Sequence, residues 1–118
     1  MDKKSALNSL HNFRLALESK GIRIHKLILY GSYAHGKAKE GSDIDVLVVS
    51  DDFSGKNYWE RIDILSDAIY EVFEPIEAVA LTVEEWEKGE SVVAEYAKEG
   101  EVIFIARFSK REREMVRI

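Results

Sequence analysis

The link between two short apolar runs constrains this chain more than any other feature. "HKLILY" ends at Tyr30, "IDVLVVS" begins at Ile44, and the residues between them include Gly31, Gly36 and Gly41. Both runs read as strands buried on two sides. About a dozen residues without an obvious crossover helix favour antiparallel pairing, because parallel strands need a longer return. Gly31-Ser32 and Asp43 then sit at one end of the sheet.

Downstream, residues 50–76 have room for a full helical crossover. Tyr58, Ile62, Leu65, Ile69 and Val72 recur in steps of four and three, which predicts one apolar stripe on an amphipathic helix, and Pro75, the only proline, stops it. "IEAVALT" is therefore expected as a strand parallel to the one before it, so that its early residue Glu77 reaches the same sheet end. The remaining elements read as follows. Leu7, Leu10, Phe13 and Leu17 have helical spacing within an N-terminal helix over 4–20, followed by Gly21 as a stop. Thr82 and Glu85 have the form of a capping box opening a short helix around Trp86. Ser91 starts another helical turn or two that Gly100 ends, and "VIFIA" predicts a fourth strand. The expected class is α+β, a mixed sheet of about four strands with helices packed on it.

With 118 residues, 46% of them hydrophobic, the chain is the size of one compact domain, 1–118, with a core over about 22–106 and a short charged tail over 107–118. That tail, "RFSKRERE", carries both signs and reads as a solvated, partly helical end. Cysteine is absent, no apolar run approaches membrane-spanning length, and "MDKKSALNSL" lacks the apolar core of a signal peptide, so a cytoplasmic location is expected. A net charge of -5 argues against a whole-surface attraction to nucleic acid or anionic membrane. Abundant Lys, Glu and Arg with no glutamine lean towards a heat-adapted source.

The chemistry is concentrated in "GSYAHGKAKEGSDIDVLVV". Strand alternation points Asp43 and Asp45 to one face, and Ile44 and Val46 to the other. Two carboxylates so close repel each other unless a divalent cation lies between them. Mg²⁺ suits the site, since it takes one or two carboxylates plus substrate phosphates. Gly31 lets the backbone bend beneath a ligand, and Ser32 offers a hydroxyl donor. The rest of "GSYAHG" is expected to form a short helix whose N–H groups face an anion. Ser42, immediately before Asp43, joins Gly31 and Ser32 as a nucleotide-binding candidate, and Lys37 and Lys39 add positive charge.

Plainer readings stand beside these. An Asp-X-Asp at a strand start is often only a turn or cap, and Glu71 or Glu74 compete with Glu77 as the third carboxylate. His35 reads as an ordinary loop histidine, and His11 and His25 lack metal-ligand spacing. Trp59 and Trp86 read as packing residues. No His and acid are positioned by sequence to activate Ser32 as a nucleophile, so a phosphate-binding role is preferred.

Gly31-Ser32, ten residues, then Asp43-Ile44-Asp45 resembles the signature of the DNA polymerase β-type nucleotidyltransferase superfamily, and the short chain resembles its minimal branch, the MNT or MntA-like antitoxins. The resemblance covers roughly residues 22–106. It implies transfer of a nucleoside monophosphate, most often AMP from ATP, to an acceptor hydroxyl. It also implies two Mg²⁺ ions on Asp43 and Asp45, and the β- and γ-phosphates on Gly31 and Ser32. Family members usually carry aspartate where this chain has Glu77, the third catalytic and metal-binding candidate. The implied partner is a HEPN-domain toxin, adenylylated on a tyrosine. Two other functions remain open: a non-catalytic nucleotide-binding module that neutralises its partner by covering it, and a detached subunit acting on a small molecule.

Overall fold

The computed structural model describes residues 1–107, and nearly all of the predicted charged tail lies outside them. Helix α1 (Lys3–Ser19) leads into strand β1 (Lys26–Tyr30) and strand β2 (Ile44–Val49). Helix α2 (Tyr58–Val72) then crosses to strand β3 (Ile76–Leu81), and the short helices α3 (Val83–Lys88) and α4 (Val92–Ala97) precede strand β4 (Glu101–Ile105). The sheet order is β3-β2-β1-β4. As the connection lengths predict, β1 pairs antiparallel with β2, and β2 pairs parallel with β3. β4 is antiparallel to β1 on the opposite side.

Helices cover both faces of the sheet. Period-two alternation sends Ile44, Val46 and Val48 into one core, with Leu10, Phe13 and Leu17 of α1 and Leu65 and Ala68 of α2. Leu47 and Val49 face the other way, into a smaller core with Ile28, Leu81, Ala94 and Ala97. Burial on both faces explains why β2 reads as a nearly continuous apolar run. Asp43 and Asp45 have the parity of Leu47, so they belong to the face covered by α3 and α4.

Local chemistry fixes the helix starts. Asp2 caps α1 by accepting from the Ser5 N–H at 2.8 Å, and this bond holds its carboxyl below the usual range. The expected capping box is present: Glu85 N–H donates to Thr82 Oγ1 at 3.1 Å, and Thr82 N–H donates to Glu85 Oε1 at 2.7 Å. Trp86 packs against the smaller core, as expected.

Helix α2 departs from the sequence reading in three ways. Its chain stops at Val72 before Pro75 is reached, because Phe73 takes a left-handed conformation (φ 58, ψ 45) and caps it. Of the predicted stripe only Leu65 is fully buried, while Tyr58 is 66% exposed. Trp59, expected to pack, is 70% exposed. Trp59 lies six positions before Leu65, about 120° round the helix from the buried line, so its ring is turned outward.

Candidate active site at the sheet rim

The strand directions gather three turns at one end of the sheet. β1 ends there at Tyr30, β2 begins there, and β3 enters there in parallel, with Ile44 N–H donating to Pro75 O at 2.8 Å. The register pairs Asp45 with Tyr30 on one side and with Glu77 on the other. A side chain at the centre of three adjacent strands is thus flanked by a phenol and a second carboxylate.

The electrostatics follow from that placement. Asp45 is half-buried, whereas Asp43 and Glu77 are exposed. Burial, a hydrogen bond shared with the Glu77 carboxyl, and the charges of Glu77 and Asp43 push the Asp45 carboxyl up to about 6. Tyr30 is pushed up to about 12 by burial first, then by Asp45 and Glu77. Gly31, at φ 75, lies directly against the Asp45 carboxylate: a Cβ there would collide with Oδ2 and stand 3.1 Å from Cγ. Only glycine permits this approach, since any larger residue would lose both the backbone conformation and the space.

The "GSYAHG" segment is a series of turns rather than the expected helix. Ala34 N–H and His35 N–H both donate to Gly31 O, and Lys37 N–H donates to Ser32 O. The buried Tyr33 ring anchors the segment in the larger core, which leaves too few consecutive residues for helical pairing. Ser32 stands beside Gly31 at the rim. Ser42 Oγ accepts from Lys39 N–H at 2.8 Å and closes the loop ahead of Asp43.

Among the described residues, no group of three or more His, Cys, Asp or Glu side chains is gathered in a ligating arrangement. The donor set is nonetheless all oxygen, and the charge that Glu77 and Asp43 place on the Asp45 carboxyl is the kind that a bound cation relieves. One or two carboxylates suffice for Mg²⁺ when phosphates complete its shell. The residues therefore fit a metal that arrives with a nucleotide better than a metal held by protein alone.

Sequence reasoning missed part of this site. A cleft of about 500 Å³ opens beside Asp45, lined by Tyr30, Gly31 and His35 on one side and by Glu95, Tyr96 and Glu99 on the other. His35 thus belongs to the site wall, contrary to its reading as an ordinary loop residue. Gly100 seats that wall in the fold: a Cβ at this position would collide with Leu29 O and touch Ile28 Cγ2 at 3.0 Å. The corner between α4 and β4 is consequently pressed against the end of β1, and the last turn of α4 is carried to the rim.

The profile described as nucleotidyltransferase domain matches residues 10–110. A Methanocaldococcus jannaschii protein provisionally designated a protein adenylyltransferase is 48% identical over 52 residues, covering 43% of this chain and 49% of that protein. The matched stretches span about half the length of the curated relatives. A solved Sulfolobus solfataricus protein, provisionally designated a nucleotidyltransferase, superposes with a TM-score of 0.68 at 18% identity, covering 87% of this chain and 83% of that one. The MNT antitoxin complex with a tri-AMPylated Shewanella oneidensis HEPN toxin gives 0.51 at 16% identity, covering 96% and 78%. At such identities the superpositions speak for a shared fold. The sequence match over most of the length, on a sheet that brings Gly31, Asp45 and Glu77 to one rim, places the chain in the nucleotidyltransferase domain family.

Proposed function

We propose that this domain moves AMP from ATP to a hydroxyl of a partner protein, and that the partner is a HEPN-domain toxin for which the chain is the antitoxin. The observation that carries the reading is the packing of Gly31 against Asp45, with Glu77 hydrogen-bonded to the same carboxyl. Acidic groups this close repel one another, and a triphosphate with its cations relieves that repulsion. An antitoxin fold shared with a complex whose toxin is AMPylated supports the choice of acceptor. An ATP-consuming domain without cysteine suits the cytoplasm, and no helix among the described residues is long and apolar enough to cross a membrane.

Asp43 and Asp45, with Glu77, would hold two Mg²⁺ ions, which when bound neutralise phosphate charge. The Gly31-Ser32 turn orients the β- and γ-phosphates by backbone approach and hydroxyl donation. The acceptor oxygen forms a bond to the α-phosphorus as the bond to the bridging oxygen breaks, and pyrophosphate leaves. The proton of the acceptor passes to the Glu77 carboxylate. Half-burial of Asp45 beside Tyr30 keeps bulk water from one side of the reacting centre.

The second reading, a binding module without catalysis, is favoured by one feature: Glu77 is longer than the aspartate usual at this position in the superfamily, and misplacement by about 1 Å can cost a hundredfold in rate. One experiment separates the two. Label from α-³²P-ATP is expected to move to a co-purified HEPN protein in the presence of magnesium, and to fail with the Asp43→Asn, Asp45→Asn double variant. Equal labelling by both would end the catalytic reading.

A further inference from the structure

Helix α2 presents a surface that the rim chemistry does not use. Five aromatic residues are strongly exposed among the described residues, and four of them belong to this one segment: Tyr58 at 66%, Trp59 at 70%, Tyr70 at 80% and Phe73 at 85%. Trp59 and Tyr70 are eleven positions apart, which returns them to within about 20° on the helix surface, about 16 Å apart along it. Phe73 extends the line by a further turn. The Tyr58 and Trp59 rings meet edge to face, with centroids 5.1 Å apart, and make a rigid projection at the far end.

Phe73 is costly twice over. A left-handed backbone is disfavoured for a bulky residue, and its ring buries almost nothing in return. Glycine or asparagine is the ordinary solution at such a helix cap. A residue that the fold would replace, kept where it faces solvent, points to a use outside the fold.

Position and charge say what that use is. Because α2 delivers the chain to the start of β3, Phe73 lies at the rim end, four residues before Glu77. Between 58 and 77 the sequence carries six carboxylates (Glu60, Asp63, Asp67, Glu71, Glu74 and Glu77) and one cation, Arg61. Arg61 is turned inward, donating to Glu85 at 2.7 Å and to the carbonyls of Lys56 and Ala80. Among the described residues, only Glu71 is offset from outside the segment, by Lys20 at 2.9 Å. Interleaved aromatics and carboxylates of this kind repel nucleic acid and anionic lipid, and a two-fold contact with a second copy would bring like charges together.

We propose that the outer face of α2, from Trp59 to Phe73, is the docking surface for the acceptor protein, and that it receives a positively charged surface with apolar sockets. The inference rests on the reading that the acceptor is a protein. It adds where that protein is gripped: an acceptor seated on Tyr70 and Phe73 lies at the rim end of the sheet but on the face opposite to Asp43, Asp45 and Glu77, so its hydroxyl reaches the carboxylates round that end. Trp and Tyr anchors ringed by polar groups are the usual carriers of binding energy in such contacts.

The test pairs the full chain with a purified HEPN-domain protein from the same source. Phe73→Gly is expected to keep or raise the thermal midpoint, yet to weaken the complex about tenfold or more. Tyr70→Ser with Trp59→Ser is expected to do the same without loss of folding. Complex formation by the wild-type chain should weaken as salt rises, while the Asp43→Asn, Asp45→Asn variant should still bind. Wild-type affinity in all the aromatic variants would overturn the docking face and leave the transfer reading intact. A complex that depends on Phe73 but transfers no label would do the reverse. Self-association of the chain that Phe73→Gly abolishes, or no association with the HEPN protein at all, would also overturn the proposal.

Discussion

Gly31 carries two constraints at once, and they make it the most informative single residue to change. A methyl group at this position meets the Asp45 carboxylate in a backbone conformation that disfavours side chains. Gly31→Ala is expected to cost about 1–2 kcal/mol in stability from the left-handed backbone alone. It should cost far more in transfer rate, about a hundredfold, because the displaced carboxylate is the one at the centre of the site. Urea unfolding read beside label transfer separates the two effects.

Asp45 gives the pH dependence. Its folded carboxyl is raised from 3.8 to about 6, by burial first and then by Glu77 and Asp43. The folded state therefore holds the proton more tightly than the unfolded chain. The resulting stabilisation is fully present below about pH 4 and is lost as pH rises through about 6. In metal-free buffer, the urea midpoint of Asp45→Asn relative to wild type should rise between pH 4 and 7. A difference that stays flat would mean that Asp45 does not feel its neighbours.

At the scale of elements, the join between α2 and α3 depends on one side chain. Glu85 accepts from Thr82 N–H within its capping box and from Arg61 across the gap to α2. Burial works to raise its carboxyl, but these bonds outweigh it and the net shift is downward. Glu85→Ala is expected to destabilise the domain by about 1 kcal/mol, the usual scale for a cap, with the difference fading as acid protonates the wild-type carboxyl. Guanidinium unfolding at pH 7 and at pH 3 measures it.

The same scale explains what was legible in the sequence. β1, β2 and β3 could be read because burial on both faces writes unbroken apolar runs. Their directions could be read because loop length decides between parallel and antiparallel return. The meeting of Asp43, Asp45, Glu77 and Gly31 at one sheet end followed from direction and alternation. The cleft wall from α4 was not legible, since Glu95, Tyr96 and Glu99 look like any solvated helix face until the Gly100 corner is placed against β1. Trp59 was misread because an aromatic in a helical stretch has two explanations, packing or display, and only the angle from Leu65 distinguishes them.

For the whole molecule, a four-stranded sheet covered on both faces supplies a rigid end on which three chain segments meet. The matched stretches span about half the length of the curated relatives. Covered faces and an open end leave the rim carboxylates where a large molecule can reach them.

Calorimetric titration with ATP in the presence and absence of magnesium tests the central claim most directly. Heat of binding should appear for the wild-type chain only when both are present, and should vanish in the Asp43→Asn, Asp45→Asn variant. Equal binding by that variant, or no uptake by the wild-type chain, would contradict the assignment of the rim as a nucleotide site.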